Sequence, residues 1–262
     1  MPTPLALPRR LPLYLAAIAS VAQAAGPTGA LNDTGQTRCY NGSTLTTCSS
    51  GNTGDGSSYP RQDGRFGRDA AAGNLASGFS KPAGSGGSGG FAFTPLDVSG
   101  TAIALTGSPP VPSATPRCIR DEVTNLIWEV KTDDNGLQDK DWSYIWGSGP
   151  SAHTNCLGGG NCNTTRYITD LNAASVCLVA GAGAWRLPTA QELLSIVNFG
   201  SGIPAIDVNY FPNTASTHYW SADESAVSPV GNAWTVYFNY GSTSTWGKSV
   251  NFYRVRLVRD GP

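Results

Sequence analysis

The chain has 262 residues, enough for one sizeable domain or for a small domain with an accessory region. Charged residues make up 13% and the formal net charge is −1, which excludes a strongly basic surface for nucleic acid or anionic membranes. The 32 glycines and 7 tryptophans are typical of a loop-rich exported protein rather than of a helical cytosolic one.

The N-terminus has the pattern of a secretory signal. Arg9 and Arg10 precede an apolar run at 11–19, and a small-x-small cleavage site follows at 22–24. We therefore interpret residues 1–24 as a signal peptide. Because the apolar run is shorter than a bilayer-spanning helix, an uncleaved anchor is the weaker alternative. We expect a protein that is secreted or displayed at the cell surface, with no membrane span after cleavage.

Six cysteines in an exported chain predict disulfide bonds. The sequence leaves their connectivity open, but local spacing favours three pairs: Cys39–Cys48, Cys156–Cys162 and, as a long-range clamp, Cys118–Cys177. The chain has no CxxC pair and only two histidines, His153 and His218. A metal site is therefore disfavoured, and we expect no cofactor.

Residues 25–116 predict an irregular accessory region rather than a second packed domain. A Gly/Ser-rich linker lies at 81–90 and a Pro-rich one at 108–116, while 91–107 has the composition of one or two strands. Two alternatives remain open for this region: an edge structure on the main domain, or a stalk that presents that domain at a surface.

The remainder, 117–262, predicts an α+β domain. A turn leads into a strand that carries Trp128, and apolar residues with helical spacing predict a helix at 167–179, ended by Gly181 and Gly183. Thr189 and Glu192 have the spacing of a capping box and predict a second helix that Phe199-Gly200 ends.

Two half-buried strands are predicted after the helices. Residues 234–240 alternate between apolar and polar types, which predicts a strand whose inward side chains include Trp234, Val236 and Phe238. Val255 and Leu257 alternate with arginines in a final strand of the same kind. We interpret the second helix and these apolar positions as scaffold.

Several segments of this domain together resemble a known family. AWRLPTAQELLSIV at 184–197, HYWSADES at 218–225 and YRVRLVRD at 253–260 are similar to the C-terminal domain of Legionella collagen-like adhesins, a resemblance that covers about 117–260. It implies a C-type-lectin-like fold and a role in surface adhesion, with sulfated or acidic polysaccharide as one ligand class. The chain has no collagen-type Gly-X-Y repeat before this domain, so trimerisation through such a stalk is not supported.

The implied fold is shared by the variable proteins of diversity-generating retroelements, which carry mutable residues on a C-terminal binding face. The Tyr, Asn, Ser and Thr of this chain near its C-terminus are the residues of an adaptable binding surface. A diversified binding protein is therefore one alternative function. A structural subunit of an envelope or pilus assembly is another, and the oligomeric state stays open.

The predicted ligand contacts lie within residues 237–253. Trp246 favours contact with a ligand, because a large ring among Gly, Ser and Thr has few local packing partners. The alternative is a solvated hairpin. The candidate residues are aromatic or polar: Tyr237, Asn239, Tyr240, Ser242, Thr243, Ser244, Thr245, Trp246, Lys248, Ser249, Asn251 and Tyr253.

Four cations near the C-terminus suit either an anionic ligand or internal ion pairs. They are Lys248, Arg254, Arg256 and Arg259. Sulfate or carboxylate groups would accept charge-assisted hydrogen bonds from them. We favour a structural role for at least two of them, with Asp207 or Glu192 as partners.

Two further kinds of site are less well supported. Asp133, Asp134, Asn135 and Asp139 suggest calcium, but Gly136 comes too early for an EF-hand loop, and a polar turn is the preferred interpretation. The chain carries no GxSxG, HExxH or Walker pattern, so we expect a binding protein rather than an enzyme. His153 lies in a Gly/Ser-rich loop and is interpreted as a surface residue.

Overall fold

The computed structural model describes residues 32–48, 58–59, 62–63 and 81–262. The predicted signal peptide lies outside these residues. The described elements, in chain order, are β1 (Cys39–Tyr40), β2 (Leu45–Thr46), β3 (Phe93–Leu96), β4 (Leu105–Thr106), β5 (Val111–Pro112), β6 (Cys118–Asp121), β7 (Leu126–Glu129), α1 (Thr164–Ala173), α2 (Ala190–Leu194), β8 (His218–Glu224), β9 (Asn232–Tyr237), β10 (Ser242–Gly247) and β11 (Val258–Asp260). Two helices with short antiparallel strands confirm the α+β class. None of the described helices is long and apolar enough to cross a bilayer.

Two antiparallel sheets organise the fold. Four strands pair in the order β11-β7-β6-β3, and three pair in the order β10-β9-β8. β3 comes from the region predicted to be accessory, and it pairs with β6 from Phe93↔Asp121 to Leu96↔Cys118. Residues 93–96 therefore form an edge strand of the main sheet. Of the two alternatives, this part of the region is an edge structure on the main domain and not a stalk. The turn and strand predicted from 117–130 are part of the β6–β7 hairpin, with Trp128 buried on β7.

The predicted strands at 91–107 and around Trp128 are confirmed, but the last strand was placed too early. The chain at 253–254 makes only isolated bridges, Tyr144↔Tyr253 and Tyr219↔Arg254, and regular pairing with β7 begins at Val258. Val255 and Leu257 are buried as predicted, but Arg256 is buried as well. The expected alternation between buried and exposed residues fails because this segment passes between core elements instead of lying at a surface.

The first helix is shorter and earlier than predicted. It begins after Asn163, whose side chain accepts a hydrogen bond from the backbone N–H of Arg166 at 2.9 Å. It ends at Ala173, before Gly181 and Gly183, because Ser175 and Cys177 adopt positive φ angles of 53° and 58°. The chain turns there so that Cys177 reaches Cys118.

The second helix has the predicted N-terminus. The Thr189 side chain accepts from the Glu192 N–H at 3.1 Å, and the Glu192 carboxylate accepts from the Thr189 N–H at 2.7 Å, which confirms the capping box. The helix ends at Leu194, earlier than Phe199-Gly200, and the Ser195 hydroxyl donates to the Glu192 carbonyl at 2.7 Å. Satisfying that carbonyl locally closes the helix after little more than one turn.

The three predicted disulfides are present: Cys39–Cys48, Cys118–Cys177 and Cys156–Cys162. The first closes the β1–β2 hairpin. The second holds the start of β6 against the loop after α1, inside one of two core clusters. That cluster also contains Trp220 and Trp185, whereas the other contains Trp128, Tyr219, Val236 and Phe238. Because Tyr219 and Trp220 are neighbours on β8, the three-stranded sheet separates the two clusters.

Candidate functional site

The candidate site lies on one face of the β8–β9–β10 sheet. His218 and Ser242 both pair with Tyr237, and Trp246 pairs with Ala233. Side chains on directly paired residues project from the same face of a sheet, and alternate residues project from opposite faces. His218, Tyr237, Ser242, Ser244 and Trp246 therefore share one face.

Four rings cluster on this face, and we call them the aromatic face: His218, Tyr237, Trp246 and Tyr253. The His218 ring stacks on Tyr237, with centroids 4.4 Å apart and planes at 15°. It lies 5.5 Å from Trp246 and 4.8 Å from Tyr253, and Trp246 and Tyr253 are 5.8 Å apart. Tyr253 in turn contacts the buried Trp220 at 5.1 Å. The aromatic face is thus anchored to the core at one side and open at the other.

The exposed rings of Trp246 and Tyr240 differ in exposure and in the number of rings they contact. Trp246 is 38% exposed and, although it has few local packing partners in sequence, its ring contacts those of His218 and Tyr253. Those partners come from distant strands that local sequence does not show. Tyr240, in the β9–β10 turn, is 64% exposed and contacts Tyr237 edge-on at 5.9 Å. Tyr240 is therefore the ring whose removal disturbs the fold least.

Neutral polar groups around these rings are unused by the fold. Within the described part of the chain, no hydrogen bond is made by the side chains of the following residues: Tyr237, Asn239, Tyr240, Ser242, Thr243, Ser244, Thr245, Trp246, Ser249 and Tyr253. By contrast, the indole N–H groups of Trp142, Trp146 and Trp220 each donate to a backbone carbonyl, at 2.6 to 2.8 Å. The segment thus concentrates donors and acceptors that remain available to a ligand.

The predicted residues do not all lie together. Thr243 and Thr245 pair with Val236 and Trp234, so they project from the opposite face of β10. Asn251 donates from its side chain to the Gly247 carbonyl at 3.2 Å, which makes it part of the turn after β10. Because successive side chains of a strand project from opposite faces, only every second residue of β10 shares the aromatic face. Lying within residues 237–253 is not sufficient.

The three arginines near the C-terminus are structural, but their predicted partners are wrong. Arg256 is fully buried and donates to the Glu129 carbonyl and the Thr214 hydroxyl, both at 2.7 Å. Arg259 donates to the Cys177 carbonyl, and Arg254 to the Asp141 carbonyl. Glu192 instead pairs with Arg186 at 2.8 Å, and the Asp207 carboxylate accepts from backbone N–H groups of Ser88 and Asn209. Sequence order gave no sign of the arginine contacts, because each joins segments far apart in the chain.

Both histidines pack against aromatic side chains, which was not predicted from the sequence. His218 begins β8 and lies at the centre of the aromatic face, with Nδ1 3.0 Å from the Thr235 hydroxyl. His153 is half-buried rather than a plain surface residue: it stacks on Phe252 at 4.0 Å, and its Nε2 lies 2.7 Å from the Ser143 hydroxyl. The one local signal for the position of His218 was that two aromatic residues, Tyr219 and Trp220, follow it directly.

The aromatic face is electrically neutral near pH 7. Burial lowers the pKa of His218 and raises the pKa of the Tyr253 phenol. The imidazole is therefore unprotonated and the phenol protonated, so neither brings a charge to a ligand. Recognition here depends on ring surfaces and neutral hydrogen-bonding groups.

The acidic segment near 133 forms a hydrogen-bonded turn. The Asp139 carboxylate accepts from the backbone N–H groups of Asp134, Asn135 and Asp141 at 2.6 to 2.8 Å. Oxygens of Asp133, Asp139 and Asp141 lie within 4.8 Å of one another, and Lys140 pairs with two of them. Lys140 offsets part of the charge on these carboxylates, which suits a polar turn.

Comparison with curated proteins and with solved structures found no match to the chain. A family model does match: residues 117–259, more than half of the chain, fit the Lcl C-terminal domain. The matched region contains both helices, β6–β11 and every residue of the aromatic face. The chain therefore belongs to the Lcl C-terminal domain family.

Proposed function

We propose that this protein is a secreted or surface-displayed bacterial adhesin-like protein that binds a glycan or protein surface through the aromatic face. The family suggests an adhesin-like surface protein, and three disulfides are consistent with an extracellular or surface location. The observation that carries the proposal is the coincidence of exposed rings with the neighbouring side chains of Asn239, Ser242 and Ser244, which make no hydrogen bond within the described residues. Stability does not require unused donors and acceptors beside rings, whereas recognition does.

A C-type-lectin-like architecture is part of this proposal. It is supported by two short helices, two small antiparallel sheets and a C-terminal hairpin that presents polar and aromatic side chains. In such an arrangement the scaffold is separate from the contact surface. Val236, Phe238, Val255 and Leu257 are fully buried, while the residues between them on β10 are exposed or half-buried.

A diversified binding face is a second candidate. It is supported by the same absence of hydrogen bonds within the described residues, because side chains on which the fold does not depend tolerate substitution. The genomic neighbourhood tests it: we expect a reverse transcriptase gene and a near-copy of the DNA that encodes 232–259. If neither is present, this candidate is discarded, and the adhesin-like proposal does not depend on it.

We propose binding rather than catalysis. All six cysteines are consumed in disulfides, so a thiol nucleophile is not available. Ser143 with His153 and Thr235 with His218 each place a hydroxyl beside an imidazole, but among the described residues no carboxylate orients either imidazole, and both hydroxyl residues are buried. A hydrolase screen checks this: turnover that disappears in Ser143→Ala would contradict the proposal.

Binding is tested with three variants on immobilised mucin, fibronectin and collagen and on a printed glycan array. Tyr240→Ala and Trp246→Ala should each weaken binding about tenfold or more, as expected for anchoring rings. Val227→Ala is the matched control, because Val227 is 96% exposed and lies in the loop between β8 and β9. The melting temperature should hardly change for Tyr240→Ala. If both ring variants stay folded and bind like the wild type, the site lies elsewhere.

A further inference from the structure

The cations nearest the aromatic face are already committed to internal partners. Lys248 follows β10 directly, and its ammonium lies 2.6 Å from Glu224 and 4.2 Å from the centre of the Trp146 ring. It also donates to the Pro229 carbonyl at 2.5 Å. The bond to Pro229 ties the end of β10 to the loop between β8 and β9. Together the three interactions leave the Lys248 side chain little freedom to reach a ligand.

Arg254, next to Tyr253, is committed in the same way. Its guanidinium donates to the Asp141 carbonyl, and it lies 3.9 Å from the Asp141 carboxylate. Beyond it, Arg256 and Arg259 are buried within the core. None of the four tail cations presents an unpaired charge at the surface among the described residues.

In both surface pairs, the acidic partner is the more exposed one. The Lys248 side chain is 12% exposed against 49% for Glu224, and Arg254 is 22% exposed against 58% for Asp141. An approaching anion therefore meets the carboxylates before it meets the cations. A sulfate or uronate would have to break an existing pair and approach an exposed carboxylate, and both reduce the gain from a new charge-assisted bond.

We propose that the aromatic face recognises an uncharged saccharide, held by ring stacking and by neutral hydrogen bonds. This rests on the proposed binding function and narrows its ligand class. The apolar C–H surface of a pyranose ring matches the exposed faces of Trp246 and Tyr240, and its hydroxyls match the free groups of Tyr237, Ser242 and Ser244. An uncharged saccharide differs from the acidic polysaccharide that the sequence resemblance implies. The cations that would favour an acidic ligand already have partners within the protein.

The test compares matched saccharides with and without sulfate. N-acetyllactosamine, chitotetraose and mannotetraose are printed beside sulfated forms of the same backbones, and binding is measured at about 0.05 M and about 0.5 M NaCl. We expect at least one neutral form to bind as well as its sulfated form or better. Its affinity should change less than about twofold with salt, since neutral hydrogen bonds and stacking are not screened, and Trp246→Ala should lower it about tenfold.

Glu224→Gln gives an independent readout. Removing this carboxylate releases Lys248 and removes the exposed negative charge, so binding to the sulfated forms should rise while binding to the neutral forms stays unchanged. Glu122→Gln is the matched control, because Glu122 also pairs with one cation, Arg120, in the sheet away from the aromatic face.

Each remaining outcome decides against the inference. Tighter binding of wild-type protein to sulfated forms, lost at high salt, would overturn it. If no neutral saccharide binds while the ring variants still abolish attachment to fibronectin or collagen, the saccharide assignment is overturned and the proposed binding function stands. If the ring variants change nothing on any surface, both are overturned.

Discussion

The long-range disulfide offers a quantitative test of how this fold is stabilised. Cys118–Cys177 spans 59 residues of sequence, whereas Cys156–Cys162 spans 6. If a cross-link acts by restricting the unfolded chain, the entropy it removes grows with the logarithm of the loop length. That relation gives about 4 kcal/mol for the long clamp and about 2 kcal/mol for the short one at 25 °C.

The perturbation is a pair of double variants, Cys118→Ala/Cys177→Ala and Cys156→Ala/Cys162→Ala. All four cysteines are at most 5% exposed, so the loss of sulfur packing is similar in the two variants and nearly cancels in the comparison. Urea denaturation followed by tryptophan fluorescence gives the free energy of unfolding of each protein. The long-clamp variant should lose about 2 kcal/mol more than the short-loop variant.

Equal losses, or a larger loss for the short loop, would refute the loop-entropy reasoning. A changed dependence of unfolding free energy on urea would show that the unfolded ensemble itself had expanded, which is the expected direction for removing a long cross-link.

Three further predictions concern a turn, a buried ion pair and the two histidines. Gly241→Ala should lower the free energy of unfolding by about 1–3 kcal/mol, because Gly241 has φ +76° and an added Cβ would lie 2.5 Å from Val197. Urea denaturation measures this loss, and an unchanged denaturation midpoint would contradict the prediction. Lys131→Met should lower the free energy of unfolding by about 3–5 kcal/mol, because it leaves the buried Glu129 carboxylate without its cation. The double variant with Glu129→Gln should recover part of that free energy in the same assay. Burial lowers the pKa of His153 and His218 below the usual 6.5, so the unfolded state binds more protons as the pH falls through 6.5. The free energy of unfolding should therefore decline below that pH, and replacing both histidines with Gln should flatten the decline.

Local rules were sufficient for the features that depend on neighbours in sequence. The capping box at Thr189 and Glu192 is a relation between residues three apart, so the helix start was predictable. The end of the other helix, α1, was not predictable, because it depends on where Ser175 and Cys177 turn the chain towards β6. The disulfides were predicted because two of the three close short loops and the third pair remained.

The candidate site was predictable as a segment but not as a surface. Composition alone indicated that residues 237–253 are poor in core-forming side chains. It could not show that His218 completes the aromatic face, nor that Thr243 and Thr245 project away from it, because both depend on strand register.

By itself, the sequence determined an α+β domain, its capped helix and its family, and it favoured the disulfide pairs that are present, since these follow from periodicity, spacing and local motifs. Only the tertiary structure decided how the charges are used. Lys248 and Arg254 have the spacing of a basic site in sequence, yet each is neutralised by an acid from a distant segment, Glu224 or Asp141. Coulomb interactions depend on distance in space, so a run of cations in sequence does not establish a cationic surface.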